Sequence, residues 1–300
     1  MHYIKGKDFF LKDTAVTLGK FDGFHLGHQE LLNDVINAAG LKSVVFTFDL
    51  NPHNLFSEKE TKLIDTNEER SRSLAKSDLD YLIDYPFTRE TADTEPEDFV
   101  KNVLVGHLDA KRITVGEDFR FGKGGHGDVA LLQELSVLYD FRVKVFDKLV
   151  MDGDTVSSTR IRTLIEEGKM EEANRLLGRP YNVTGEIIHG NNLGHTVGMP
   201  TINQRPAPEK ILPPFGVYVS DIYLDGKKYR GITNIGIKPT IGSESFPGVE
   251  TWLFDFNENV YGHFAKVCLL SFVRPERKFA SIEEVKKQVE IDAGKAKAWH

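Results

Sequence analysis

Along the first 150 residues, short apolar runs alternate with stretches in which apolar positions recur every three or four residues. "AVTL" and "SVVFTF" are β-rich runs, and between them "HQELLNDVINAA" sets Leu31, Leu32, Val35 and Ile36 on one helical face. The helical "NEERSRSLAK" leads into the short run "YLIDY". Thr94-x-x-Glu97 reads as a capping box before "DFVKNVLVGHL". "RITVG", the helical "VALLQELSVLY" and "FRVKVF" follow. Strands alternating with helices predict βαβ units and a mainly parallel, Rossmann-like sheet.

The pattern changes near residue 183. Gly and Pro become frequent in "GNNLGHTVGMP", "RPAPEKILPPFG", "GIKPTIG" and "SFPG". Short β-rich runs lie between them: "GVYVSDIYL", "RGITNIG", "VETWLFDF" and "AKVCLLSFV". Short strands separated by turn signals predict an antiparallel barrel or sandwich. Ser281-x-x-Glu284 predicts the cap of one closing helix through "VKKQVEIDAGKAKAW". The expected division is 1–180 and 181–300, near "LLGRPYNVTG".

Composition narrows the function classes. The chain has 300 residues, 40% of them hydrophobic and 28% charged, as in soluble globular proteins. A net charge of −7 argues against a general nucleic-acid binder, which needs excess Lys and Arg. A small anionic ligand needs only a local basic cluster. The one cysteine, Cys268, precludes an intrachain disulfide or a Cys-rich metal site. "MHYIKGKDFF" has no apolar h-region and no run is long enough to span a bilayer, so a cytoplasmic location without membrane partners is expected.

Three segments carry candidate chemistry in the first half. In "GKFDGFHLGHQELL", His25 and His28 stand three apart, between a strand and a helix. A zinc protease would place histidines at i and i+4 with a Glu, and that Glu is missing. A turn histidine plus a capping one is the bland reading. The placement favours an anion site instead: the helix N-terminus offers N–H groups and a positive dipole, and Gly23 and Gly27 allow close approach. The second segment is "VSSTRIR", where Ser157 or Ser158 is either a plain N-cap with two solvated helix arginines beside it, or part of a phosphate clamp with Thr159, Arg160 and Arg162. The third is "VGEDFRFGKGGHGD", either a flexible Gly-rich loop or a basic loop, with Arg120 and Lys123, over a nucleotide or flavin.

In this order the three segments resemble the adenylyltransferase module of prokaryotic bifunctional riboflavin kinase/FAD synthetases, of the nucleotidyltransferase superfamily. The resemblance implies that His25 and His28 contact ATP phosphates and that Ser158, Thr159 and Arg162 hold the triphosphate. It places Asp118, with Phe119 and Arg120, in the flavin and nucleotide loop. The family's "FxPxP" is replaced by "FDLNPHNLF", where Pro52 keeps at most one of its prolines.

"GNNLGHTVGMPTIN" matches neither the Walker pattern nor GxGxxG. It resembles the riboflavin kinase loop of the same family. By that resemblance Gly194 and Gly198 wrap the ATP phosphates, and Thr201 and Asn203 help hold Mg²⁺-ATP. His195 stands where the family has Arg or Lys, replacing a fixed charge with a mostly neutral one, and Ile202 replaces a small residue. A kinase acting on an alcohol needs a base. Alternation in "VETWLFDF" puts Glu250 with Trp252, Phe254 and Phe256, the expected buried face. A strand-end Glu exposed at the barrel mouth is an equal reading from pattern alone. The resemblance selects Glu250 as base, with Trp252 where relatives often have His.

The implied function is phosphorylation of riboflavin to FMN by the second half and adenylylation of FMN to FAD by the first, both with Mg²⁺-ATP. The alternatives are an adenylyltransferase whose kinase is weakened by His195, Ile202 and Trp252, and a flavin-binding regulatory protein without turnover.

Overall fold

The computed structural model describes residues 1–50, 52–57, 60–190, 199–239 and 245–300. Gly194, His195 and Gly198 lie outside the described residues. The chain forms two compact units, Met1–Ser158 and Thr159–His300.

The first unit runs β1 (His2–Lys5), β2 (Thr14–Leu18), α1 (Leu26–Ile36), β3 (Lys42–Phe48), α2 (Pro52–Phe56), α3 (Asn67–Leu74), β4 (Tyr81–Tyr85) and α4 (Arg89–Ala92). Helix α5 starts at Pro96–Asp98 and continues with wider π turns over Phe99–His107. Then come β5 (Ala110–Gly116), α6 (Val129–Tyr139), β6 (Arg142–Phe146) and a small hairpin of β7 (Val150–Met151) and β8 (Asp154–Thr155). The six main strands pair in the order β1-β4-β3-β2-β5-β6, all parallel. Both faces are covered, as a parallel sheet requires. Val16, Leu18, Val44 and Phe46 join one core cluster, with Leu104 and Leu132 from the helices. Ala15 and Val45 point the other way, to Leu31, Leu32 and Val35 of α1.

The strand order reverses at β2, whose neighbours β3 and β5 lie on opposite sides. Open α/β sheets bind ligands at the carboxyl ends of strands beside such a switch point. The segment leaving β2 there is the one that carries His25 and His28. Helix α1 is fixed from behind, because Asp34 accepts from Arg112 at 2.6 Å and Thr114 at 2.7 Å on β5, and from Lys144 on β6. Burial alone would raise the Asp34 pKa, but these bonds outweigh it and hold the carboxyl below its usual range.

Two expected details differ. Thr94 does not cap α5: its hydroxyl bonds back to the carbonyl of Glu90, and Pro96 opens the helix. Pro at the first helical position loses no bond there. A complete capping box instead precedes α3, where Thr66 and Glu69 bond each other's backbone N–H.

Helix α7 spans Ser158–Glu166; its first residue, Ser158, is the last of the first unit, and from Thr159 on it belongs to the second, followed by α8 (Met170–Leu177). The second unit continues with β9 (Tyr181–Glu186), β10 (Thr201–Gln204), β11 (Gly216–Leu224), β12 (Lys227–Pro239), β13 (Ser245–Leu253), β14 (Phe264–Pro275) and α9 (Ile282–Ala298). The strands form one antiparallel sheet in the order β10-β13-β12-β11-β14-β9. Its edges meet and make a barrel: Ile188 N–H donates to Asn203 O, and Gln204 Nε2 donates to the carbonyls of Gly185 and Ala265. Inside, Ser220, Thr233 and Thr251 form a buried hydroxyl ladder across three strands. Cys268 is buried on β14, and desolvation pushes its thiol pKa up to about 11. Ser281 accepts from Glu284 N–H, the expected cap of α9. That helix is tied to β14 by Arg274, which pairs at 2.8 Å with the fully buried Asp292.

Candidate active sites

The segment after β2 has an uncommon backbone. Among the described residues, eight non-glycines have positive φ; six are aspartates, and the other two are Phe21 (φ 48) and Phe24 (φ 41). Such a conformation disfavours a bulky residue by on the order of 1–2 kcal/mol. Gly23 (φ 79) takes the same region without a Cβ, and a Cβ there would sit 3.0 Å from the Ile64 side chain. Asp22, 4% exposed, accepts the N–H groups of Ile64 and Asp65 on one carboxylate oxygen. The sharp turn brings His25 to the cap position of α1.

No side chain caps α1 and its first turn carries no acidic residue, so the dipole end is left for an anion. The His25 and His28 rings stack at 3.7 Å between centroids, 17° from parallel. The Phe21 ring meets His28 edge-on at 5.1 Å. Gly27 leaves room for this stack, since a Cβ there would rest on the His25 ring at 3.5 Å. Each histidine has a buried Nδ1 without a hydrogen-bond partner among the described residues. Desolvation lowers the His25 pKa to about 4, and desolvation reinforced by His25 holds that of His28 well below 6.5. Both are therefore neutral imidazoles near pH 7. They can donate to an anion as dipoles and not as standing cations, a point the spacing of the motif does not reveal.

Ser158 is not a cap. It is the first residue of α7, and its Oγ donates to the Asp22 carbonyl at 2.8 Å. It therefore braces the same turn. Thr159 and Arg162 stand on the first turns of α7, in the second unit, Thr159 exposed and Arg162 partly buried. The Gly-rich segment is folded: Phe121 and Gly127 exchange both backbone hydrogen bonds. Phe119 stacks on Phe121 at 5.5 Å. Asp118 pairs with Lys148 at 3.1 Å, Arg120 with Asp128 at 3.3 Å and Lys123 with Glu95 at 3.6 Å. Its cations are thus already matched with carboxylates, in contrast to the basic loop expected from sequence.

In the second unit, Thr201, Asn203 and Glu250 come together on neighbouring strands. Asn203 of β10 is paired with Glu250 of β13, which is paired in turn with Asn234 of β12. Thr201 Oγ1 donates to Glu250 Oε1 at 3.0 Å. Gly190 crosses close above Asn203, where any Cβ would collide with the Asn203 amide. The fully buried face of β13 is Val249, Thr251 and Leu253, not the face of Glu250. Glu250 and Trp252 are partly exposed, and Trp252 packs against the cluster of Phe254, Ala293 and Ala296 beneath α9. The strand ends at Leu253, so Phe256 does not continue the alternation. Ile202 faces the interior, 5% exposed.

Sequence reading missed Asp22, Arg70 and Asn234. "FDG" signals a turn but not a buried carboxylate. Arg70 looks like any solvated helix arginine, yet it lines a small cleft with Lys20, Asp22, Phe48 and Asn67.

Residues 8–160 match the family described as FAD synthetase, and residues 177–300 the family described as riboflavin kinase. The bifunctional riboflavin kinase/FMN adenylyltransferase of Listeria monocytogenes is 35% identical over 294 residues, covering 96% of this chain and 92% of its own. The protein of the same description from Escherichia coli K12 is 34% identical over 283 residues, covering 93% and 90%. A crystal structure described as the macrolide-efflux protein of Streptococcus pneumoniae superposes with a TM-score of 0.89, at 30% identity and 99% coverage of both chains. Among the described residues no helix is long and apolar enough to cross a membrane. Two domain matches in succession, and relatives aligned over nearly their whole length, make this chain a member of the bifunctional riboflavin kinase/FMN adenylyltransferase family.

Proposed function

We propose that the chain converts riboflavin to FAD in two ATP-dependent steps, with residues 181–300 phosphorylating riboflavin and residues 1–180 adenylylating FMN with release of pyrophosphate. The observation that carries this division is the placement of Glu250, bonded to Thr201 and register-paired with Asn203, in the half that must activate an alcohol.

For adenylylation the nucleophile is a phosphate oxygen of FMN, already ionised, so the step needs orientation and charge stabilisation. His25, His28 and the start of α1 serve as donors to ATP phosphates, with Ser158 holding the turn and Thr159 and Arg162 completing the triphosphate contacts. Phosphate binding would draw the histidine pKa values upward, since an adjacent anion favours the protonated form. Asp118, Phe119 and Arg120 take the flavin-loop role. For phosphorylation the riboflavin hydroxyl gives its proton to Glu250 as it attacks the γ-phosphorus of ATP, and ADP departs. Thr201 and Asn203 would hold Mg²⁺-ATP, and the family resemblance adds Gly194 and Gly198 to the phosphate contacts. Mg²⁺ prefers hard oxygen ligands, and the Thr201 hydroxyl and Asn203 amide oxygen would supply two of them. When bound it neutralises phosphate charge.

The test is direct. Purified protein is given ATP with riboflavin, then ATP with FMN, and products are separated by chromatography. FMN and FAD are expected in turn. FAD from FMN without FMN from riboflavin would refute the kinase assignment, and FAD formation unaffected by His28→Ala would refute the histidine site.

A further inference from the structure

The strained turn before α1 needs something to hold it. Phe21 and Phe24 adopt positive φ, and one hydrogen bond from Phe24 N–H to Phe21 O closes the turn locally. Ser158 and the Asp22 carboxylate brace it further on, and a separate restraint reaches the carbonyl of Lys20, one residue before Phe21. Arg70 of α3 donates to it at 3.1 Å, and Thr47 of β3 at 3.3 Å. Arg70 is 5% exposed and its other terminal nitrogen lies 2.9 Å from Asp84, itself 2% exposed. The second oxygen of Asp84 accepts from the Tyr3 hydroxyl at 2.7 Å. A continuous path results, from Tyr3 and Asp84 through Arg70 to the Lys20 carbonyl, then to the buried Phe21 ring against His28.

A buried ion pair is weak evidence of a stability role, because a well-packed apolar pair of similar volume commonly serves as well. An apolar pair cannot donate to the Lys20 carbonyl. Arginine can, because its planar fork reaches two acceptors at once. We propose that Arg70, oriented by Asp84, is a positioning residue for FMN adenylylation: it fixes the Lys20 carbonyl and so keeps the turn that sets Phe21 against His28. The inference rests on the reading of His25 and His28 as phosphate-contacting residues.

The experiment compares Arg70→Met, the double variant Arg70→Met/Asp84→Leu, and Asp84→Asn. Each is assayed for FMN adenylylation, with kcat and KM for ATP, for riboflavin phosphorylation in the same preparation, and for thermal unfolding. Arg70→Met leaves Asp84 buried without its cation and is expected to lower both stability and adenylylation. The double variant removes that charge and is expected to regain the wild-type unfolding temperature while kcat for adenylylation stays roughly 10- to 100-fold low, the scale of a small misplacement in a site. Phosphorylation should be unchanged throughout. A double variant that regains stability and adenylylation together overturns the proposal. Where the double variant does not fold, Asp84→Asn decides. It still accepts from Arg70, so adenylylation near wild type supports the Lys20 contact, and a loss equal to that of Arg70→Met overturns it. His28→Ala separates the layers. If it leaves adenylylation intact, the site reading has failed; if it abolishes adenylylation while the double variant matches wild type, only the role of Arg70 has failed.

Discussion

The candidate sites of the two halves are built by opposite means. The first offers a helix start, two stacked imidazoles kept neutral by burial, and a strained turn fixed by a buried ion pair. The second offers a carboxylate, a hydroxyl and an amide side by side on neighbouring strands, with Glu250 partly open to solvent. The contrast follows the nucleophile. A phosphate oxygen arrives ionised and asks for donors held in place, so geometry is concentrated in the backbone. An alcohol arrives with its proton and asks for a base, which in the proposed reading is the one side chain Glu250.

The sharpest way to break this comparison is Glu250→Gln. It should lower riboflavin phosphorylation by about 10²- to 10⁴-fold, the range of a lost general base, with FMN adenylylation unchanged in the same assay. Equal loss of both activities would end the idea of a base confined to one half. Next in size is Thr201→Val, which keeps the shape and removes the donor to Glu250. A roughly 10-fold loss in phosphorylation is expected from one hydrogen bond of about 1–1.5 kcal/mol, read from kcat/KM for ATP. An unchanged value would detach Thr201 from the site.

The neutral histidines predict a pH effect on stability. His25 has a pKa of about 4 when folded and near 6.5 when unfolded, so between these values the unfolded chain binds more protons. Its contribution is complete above about pH 6.5 and is lost as pH falls toward 4, reaching about 3 kcal/mol in all. Urea unfolding of wild type and His25→Gln at a series of pH values would show it as a flatter acid limb in the variant. The smallest effect on activity is expected from Ile202→Ala. Ile202 faces the barrel interior, so the change should cost about 2–5 kcal/mol of stability, seen as a clear fall in unfolding temperature, and alter phosphorylation little. A gain in kcat would mean that Ile202 restrains the kinase after all.

Much of this was legible in the chain itself. The alternation of "AVTL", helix and "SVVFTF" led to β2, α1 and β3, and the Gly- and Pro-punctuated runs led to β11 through β14. The histidines, Ser158, Thr201, Asn203 and Glu250 were legible as candidates because motifs are local. What failed was orientation. Strand β13 has apolar neighbours on both faces, the barrel interior on one and α9 on the other, so alternation does not say which face Glu250 shares. β1 is a four-residue strand with three exposed positions and leaves almost no periodic trace. Arg70 and Asp84 are 14 residues apart in sequence and meet only because α3 returns over the sheet. The Phe21 conformation is imposed by those distant partners, and no local propensity would propose it.

The barrel's single thiol has a practical consequence. Cys268 is the sole cysteine of the chain and is sealed within β14, while the first unit has none. A thiol reagent therefore reads the opening of one half against a silent background in the other. Labelling followed with riboflavin, ATP or both present would count how often the cover over Cys268 opens during turnover, without a probe being introduced.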